Sequence, residues 1–411
     1  MAGGIAPGPV QVTRLYLSSF RNFASLELEP GPGLNVLYGP NGSGKTNILE
    51  AIYFLSAGRS YRTAREAELV SWGAEGFTVR ADLRGTGSPW LKACYQPQRG
   101  CTLSIPASAT SARNAAVILP VVLFAPEDLE LAGGQPALRR RFLDELAGQL
   151  VPGYHKTLGR YGRVVMQRNE LLREAQARHL RGELLEAWDE EMAQLAGRLW
   201  SARHRVLAGF NPLLEKCYRE LGRGEATLAW APALEEVPEG PVRGDPGAWE
   251  RSLRTELAAR RREEVRYGVT LAGPHRDSLW FTATGKEVRQ YGSRGEQRSV
   301  ALAARLAQFL LLKEELGFEP VLLLDDVFAE LDEERQRAVT GGLPESAQAF
   351  LTCVRPAALP PWPGKRARYL RVAGGEVVAE GEDSVPPGAT GAPGPAQGGE
   401  GKTPLPERAG G

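Results

Sequence analysis

One lysine in a glycine-rich loop and a pair of adjacent carboxylates carry the chemistry open to this chain. The loop is Gly39-Pro40-Asn41-Gly42-Ser43-Gly44-Lys45-Thr46, followed by Asn47. It matches G-x-x-x-x-G-K-[S/T] and lies between an apolar strand segment and a helix start. Glycines at this spacing let backbone N–H groups curl around phosphate oxygens, and the helix N-terminus adds its positive dipole end. Lys45 is then placed for β- and γ-phosphates, and the Thr46 hydroxyl for Mg²⁺. The carboxylates, Asp325 and Asp326, follow the apolar run Val321–Leu324. Such a run predicts a parallel strand buried on both faces, and open α/β sheets place ligands at the carboxyl ends of their strands. Asp325 would hold Mg²⁺, and Asp326 would orient or polarise an attacking water. Alone, the pair reads equally as a strand end capping the next turn. Paired with Lys45, it reads as a nucleoside triphosphatase.

Sequence distance then separates ATPase types. About 280 residues lie between Lys45 and Asp325, far more than one compact P-loop domain needs, so a whole domain is expected between them. Shortly before the apolar strand stands Ser293-Arg294-Gly295-Glu296-Gln297, opening a helical run over Val300–Ala307. This segment resembles the signature of ABC-class ATPases, in which the helix N-terminus of one protomer caps the γ-phosphate held by the other. Ser293 alone could be a helix cap; its place one helix before Asp325 strengthens the match. Ala329-Glu330-Leu331-Asp332 resembles the D-loop that crosses such a dimer interface, with Leu331 and Asp332 in place and Ala329 where serine is usual. Together these motifs imply a composite site in which ATP joins two copies of the chain. There is no switch histidine after Asp326, Thr352 being the one candidate for that place, and no lid-loop glutamine can be assigned. Slow hydrolysis is expected.

The elements that must position these groups fall into three territories. Short alternating or β-branched runs, Val12–Leu17, Leu26–Leu28, Leu34–Tyr38, Phe77–Leu83 and Val117–Phe124, predict strands, with a helix over Asn47–Ser56. From Leu138 to Arg266 the apolar period becomes helical, interrupted by a loop over Pro232–Pro246. Strands return after Val269. The reading is an α/β fold: an ABC/SMC-type P-loop ATPase head over 10–130 and 267–380, with an inserted, mainly α-helical arm domain over 131–266. Residues 1–9 are expected to be flexible, and the Gly/Pro/Ala-rich 381–411 to be a disordered tail.

Composition limits the partners. The 411 residues are 42% hydrophobic and 24% charged, with formal net charge +1, so a nucleic-acid surface would have to be a local patch. No apolar run is long enough for a membrane span, and no secretory leader is evident. The four cysteines lack metal-ligand spacing, and reduced thiols in a cytoplasm fit best. Zinc is not expected, His275 having no partner histidine at a ligand spacing. An ABC transporter subunit, another SMC-like tether and a metabolic kinase are the rival classes. The first two share the loop and Asp pair but not the size of this insertion, and the kinase lacks the signature.

Several segments are more specific. Leu17-Ser18-Ser19-Phe20-Arg21-Asn22-Phe23, Ala57-Gly58-Arg59-Ser60-Tyr61-Arg62-Thr63, Phe124-Ala125-Pro126-Glu127-Asp128-Leu129, Gln167-Arg168-Asn169-Glu170 and Gly273-Pro274-His275-Arg276-Asp277 resemble the bacterial RecF family over about residues 10–375. That resemblance implies an ATP-dependent clamp on double-stranded DNA and ssDNA/dsDNA junctions. With RecR and RecO, it would help load RecA on SSB-coated gaps. Arg21 resembles a residue that SMC-type proteins use near ATP. Independently, Arg139, Arg140, Arg141, Arg160 and Arg163, with Arg168 nearby, form clusters able to contact phosphates, although each alone reads as well as a solvated, paired surface residue. Arg59 and Arg62 could reach phosphate or DNA, a role that a surface loop does not require.

Overall fold

The computed structural model describes residues 9–106, 118–178, 185–342, 344, 346–356, 359 and 367–382. The expected flexible start and disordered tail lie outside these residues, apart from Pro9 and from Gly381–Glu382, which end a strand. Val117, the start of one expected strand, is also outside them.

A six-stranded sheet forms the centre. It is built from β3 (Leu34–Tyr38), β7 (Val121–Phe124), β11 (Val321–Leu324), β12 (Ala349–Cys353), β13 (Ala367–Ala373) and β14 (Glu376–Glu382). Their order is β14-β13-β3-β12-β11-β7, parallel except for the edge strand β14. Side chains alternate between two cores, as a period of two requires. Leu34, Val36, Val122, Leu322, Leu324, Ala349 and Leu351 enter one core. Leu37, Val121, Leu123, Val321, Leu323 and Phe350 enter the other. Both faces are therefore covered, which explains why Val321–Leu324 is apolar throughout.

One cover is α1 (Lys45–Ala57) and an antiparallel sheet, β2-β1-β4-β5-β6, formed by β1 (Gln11–Phe20), β2 (Phe23–Leu28), β4 (Phe77–Arg84), β5 (Trp90–Gln96) and β6 (Gly100–Ser104). In β4, Phe77, Val79, Ala81 and Leu83 are buried in strict alternation. The other cover is helical: α2 (Pro136–Leu150), α3 (Tyr154–Arg178), the 35-residue α4 (Glu186–Glu220) and α5 (Pro246–Tyr267) precede β11. The helix α7 (Arg294–Leu316) packs on α4, and α8 (Glu333–Gly342) on α7; the single turn α6 (Val288–Tyr291) comes just before α7.

The segment expected to be helical also contains a strand, β8 (Ala226–Ala231). It pairs with β9 (Ser278–Ala283), which in turn pairs with β10 (Lys286–Glu287). Its partner lies in the segment assigned to the head, and a short strand with a distant partner has no local periodic signal. Four of the parallel strands present their carboxyl ends to one place, and the loops 39–44, 125–128 and 325–326 meet there.

Candidate nucleotide site

The loop between β3 and α1 can be built only with glycine at two points. Gly39, Gly42 and Gly44 have φ of 147°, 77° and 112°, a region that L side chains rarely adopt. A Cβ at Gly39 would stand 2.3 Å from the Val372 carbonyl oxygen, and one at Gly44 2.7 Å from Asn22. Gly44 is also the N-cap of α1 and offers no side-chain oxygen, so no side-chain cap competes for the N–H groups at the helix start. Ser43 Oγ is buried without a hydrogen-bond partner. Lys45 is buried, and its Nζ donates to the carbonyls of Gly39 and Pro40, each at 3.0 Å. A polyanion fits this cradle: it would accept from the loop amides, Ser43 and the ammonium group together.

Strand order joins the loop to the carboxylates. Because β12 runs between β3 and β11, Thr352 at its carboxyl end reaches both Asp residues. Its Oγ1 donates to Asp325 Oδ1 at 2.9 Å and accepts from the Asp326 N–H at 2.8 Å. Thr46 Oγ1 donates to the same Asp325 oxygen at 2.8 Å, and Tyr61 donates its hydroxyl to Oδ2 at 2.8 Å. Thr46 and Asp325, predicted metal ligands on opposite sides of the inserted segment, are thus in direct contact. A carboxylate and a hydroxyl form a hard oxygen donor set of the type Mg²⁺ takes.

Asp326 is half-buried and held at a φ of 47°. Burial and then the charge of Asp325 raise its carboxyl above the ordinary range, while Lys45 and the Thr352 hydrogen bond oppose the shift. Such a group gains basicity toward a water while staying near Lys45. Burial and Asp325 also push the Tyr61 phenol up, so it remains a donor at neutral pH.

Ser293 caps α7, accepting from the Glu296 N–H at 3.2 Å, and Ser293 and Arg294 are exposed. Arg335 ties this helix start to the Asp332 turn. It pairs with the Asp332 carboxylate and donates to the Gly295 carbonyl at 2.8 Å and to Ser299 Oγ at 3.0 Å. Leu331 is buried and Asp332 exposed. Gln297 turns back onto the Val288 and Gly292 carbonyls. Among the described residues no hydrogen bond or ion pair joins Ser293–Gln297 to the loop Gly39–Thr46.

Sequence reasoning passed over Asn22, which donates to the Ser43 carbonyl at 3.0 Å and accepts from Asn47 at 2.7 Å. It gave Tyr61 and Glu50 no role at the site, and it missed Arg335, whose only local signal is Asp-x-x-Arg. Arg21 lies beside the loop, but its guanidinium grips the fully buried Glu50 at 2.8 and 2.7 Å. Arg62 donates to Asn47 and Glu50.

The RecF/RecN/SMC N-terminal domain model matches residues 11–89, the span that holds the loop. The DNA replication and repair protein RecF of Desulforudis audaxviator is 40% identical over 84% of this chain and 94% of its own length. That of Symbiobacterium thermophilum is 38% identical over 90% and 98%. This chain belongs to the RecF family. Two solved structures of the recombination mediator RecF in the RecFOR pathway, one with ATPrS and one with ATP, cover 92% and 93% of the chain, with TM-scores of 0.80 and 0.78 at 28% and 27% identity. The α/β head of the RecF and SMC type, read from the motifs, is the fold observed.

Within this RecF-family fold, four arginines must be reassigned. Arg139 is buried, and its guanidinium donates to the carbonyls of Leu279, Leu131 and Gly134. Arg140 donates to the Asp277 carbonyl and Arg141 to Glu145. Arg168 is wholly buried between Asp189, Glu264 and Thr270. Arg139 and Arg168 are buried, and carbonyls or side-chain oxygens engage all four guanidinium groups, so the sequence run is not a row of free surface cations. Arg160 and Arg163 remain exposed, Arg160 pairing with Glu191.

Proposed function

We propose that two copies of this chain close on ATP and Mg²⁺ and hold DNA while the nucleotide is intact. The observation that carries the proposal is the 2.8 Å contact between Thr46 and Asp325, which closes a phosphate cradle against a carboxylate pair. Gly39–Asn47 would hold the triphosphate, with Lys45 at the β/γ-phosphates. Thr46 and Asp325 would hold Mg²⁺, which when bound neutralises charge developing on the phosphoryl oxygens. Asp326 would orient the attacking water. The exposed turn Ser293–Gln297 would cap the γ-phosphate of the other copy, with Leu331 and Asp332 beside the interface. Since Arg335 fastens that turn to Asp332, both parts would move as one body. Thr352 stands at the switch position with its hydroxyl already committed to Asp325 and the Asp326 amide, in keeping with slow turnover.

DNA is the partner implied by the family, in duplex form and at ssDNA/dsDNA junctions. Lys156, Arg160 and Arg198 line an open groove of about 520 Å³ between α3 and α4 with no carboxylate among the described lining residues, although Arg160 also pairs with Glu191. Its chemistry suits a phosphate backbone better than the reassigned arginines do. The relatives' place in the RecFOR pathway extends the proposal to RecR and RecO, and to RecA loading on SSB-coated gaps. A cytoplasmic location belongs to the same proposal; among the described residues no helix is long and apolar enough to cross a membrane.

Light scattering of wild type and Asp326→Asn, with ATP, ADP or neither and with or without gapped duplex, tests the reading. The expected result is a dimer that holds DNA with ATP and releases it with ADP, the variant persisting as dimer. A chain that remains monomeric under every condition sinks it.

A further inference from the structure

The segment Arg59–Thr63 leaves α1 and has no part in the scheme above, yet its middle residue, Tyr61, touches the metal-site carboxylate. We propose that Tyr61 is a positioning residue for Asp325, bracing it against Glu145 on α2 and so linking the nucleotide site to the base of the inserted helices. The proposal rests on the nucleotide reading.

Each Asp325 oxygen is assigned a different task. Oδ1 takes the hydroxyls of Thr46 and Thr352, whereas among the described residues Oδ2 takes only Tyr61, at 2.8 Å. Rotation of the carboxylate out of its plane would break all three contacts together, so the phenol helps fix the orientation in which the carboxylate meets Thr46. The Tyr61 ring meets Tyr53 edge to face, with centroids 5.3 Å apart. The Tyr53 hydroxyl donates to Glu145 Oε1 at 3.0 Å, and Arg59 and Arg141 donate to that same oxygen at 2.8 and 3.0 Å. Glu145 is thereby an anchor for both ends of the brace: Tyr53 behind the Tyr61 ring, and the guanidinium of Arg59 at the start of the segment. The three arginines around Glu145, Arg59 first, then Arg305 and Arg141, hold it in the ionised form against its burial. A cavity of about 190 Å³ borders Tyr53, Tyr61, Glu145, Phe142 and Arg305, so the two rings have space to shift when the carboxylate is re-engaged. Four residues after Arg141, Glu145 lies on the helix that leads through Val151–Gly153 into α3. A displacement of Tyr61 therefore reaches the first helix of the insertion through one ring contact and one hydrogen bond.

Partners of this type around a metal-binding carboxylate are worth tenfold or more in metal affinity. Binding of a fluorescent ATP analogue to the full chain is titrated with MgCl₂, and repeated in EDTA, for wild type, Tyr61→Phe, Glu145→Gln and the double variant. Tyr61→Phe keeps the ring and loses only the hydroxyl. Its Mg²⁺ midpoint is expected to rise about tenfold, with analogue affinity in EDTA unchanged, a split that general loosening of the fold would not produce. Glu145→Gln is expected to move the midpoint the same way by less, and the double variant to equal Tyr61→Phe. A wild-type midpoint in Tyr61→Phe, or equal losses with and without metal, overturns the proposal; additive effects in the double variant overturn the link to α2. If wild type itself binds no analogue, the nucleotide reading fails and this proposal falls with it, an outcome separate from the others.

Discussion

At the scale of single residues, Lys45 and Asp326 make separable contributions. Lys45 is buried against the loop carbonyls, where its ammonium would meet a triphosphate. Lys45→Ala should lower affinity for an ATP analogue by at least a hundredfold, on the order of 3 kcal/mol, as expected for a charge-assisted contact in a desolvated site. Asp326→Asn preserves shape and should leave that affinity nearly intact while cutting turnover by roughly 10² to 10⁴, the range for a positioned base. The pH dependence follows from its environment. Burial and Asp325 raise the Asp326 carboxyl, so as pH falls it takes up a proton before an ordinary aspartate would, and the base is lost. Turnover of wild type should decline on the acid side, in single-turnover assays, before binding does. Equal decline of both would assign the effect to folding or to the phosphates instead.

At the scale of elements, the phosphate loop, the carboxylate strand and the cap of α7 were legible in the sequence because each is local: the residues that define it lie within eight positions. The assignment of β11 followed from an unbroken apolar run, which the two-sided burial of the sheet accounts for, and that of β3 from a short strand-like run that tolerates the buried Asn35. What was not legible depends on distant partners. Arg139-Arg140-Arg141 looks the same in sequence whether it faces water or, as here, the carbonyls of Leu279 and Asp277 almost 140 residues away. Tyr61 is likewise silent until β11 brings Asp325 to it. The helices α3 and α4 offer a surface in place of the arginine row. Lys156, Arg160 and Arg163 recur at helical spacing on α3, and Arg198 of α4 shares a groove with the first two. Lys156 and Arg198 are exposed and, among the described residues, form no ion pair. If they meet phosphates, Lys156→Ala with Arg198→Ala should reduce the slope of log affinity against log salt for duplex DNA by about 2, close to 0.9 for each lost phosphate contact. Fluorescence anisotropy at several salt concentrations reads this slope; a parallel line of unchanged slope would move the DNA surface elsewhere.

At the scale of the whole molecule, the inserted segment is fastened to the sheet side by a buried charged network whose weak point is a histidine. Asp277 accepts from Arg203 and from the indoles of Trp200 and Trp230, and Arg203 also binds Asp144, so α2, α4, β8 and the turn Gly273–Asp277 meet on one set of charges. Beside it, His275 Nδ1 pairs with the Tyr161 hydroxyl at 2.7 Å, and Nε2 is buried without a partner. Burial, then Arg276, and more weakly Arg140 and Arg203, press its pKa down to about 4, against a smaller opposing pull from the Thr270 backbone. The unfolded chain therefore binds a proton near pH 6.5 that the folded chain refuses until near pH 4. Stability held above pH 6.5 is lost as pH falls through this window, at about 1.4 kcal/mol per unit and about 3 kcal/mol in all. Burial lowers His155 and His204 as well, adding loss of the same sign, whereas Asp277, raised by its burial, works against it at the acid end. His275→Gln isolates the single contribution. Between pH 7 and pH 5, urea unfolding should show wild type losing about 2 kcal/mol more than the variant. Equal losses would mean that His275 keeps an ordinary proton affinity in the folded chain and is not the source of the acid sensitivity.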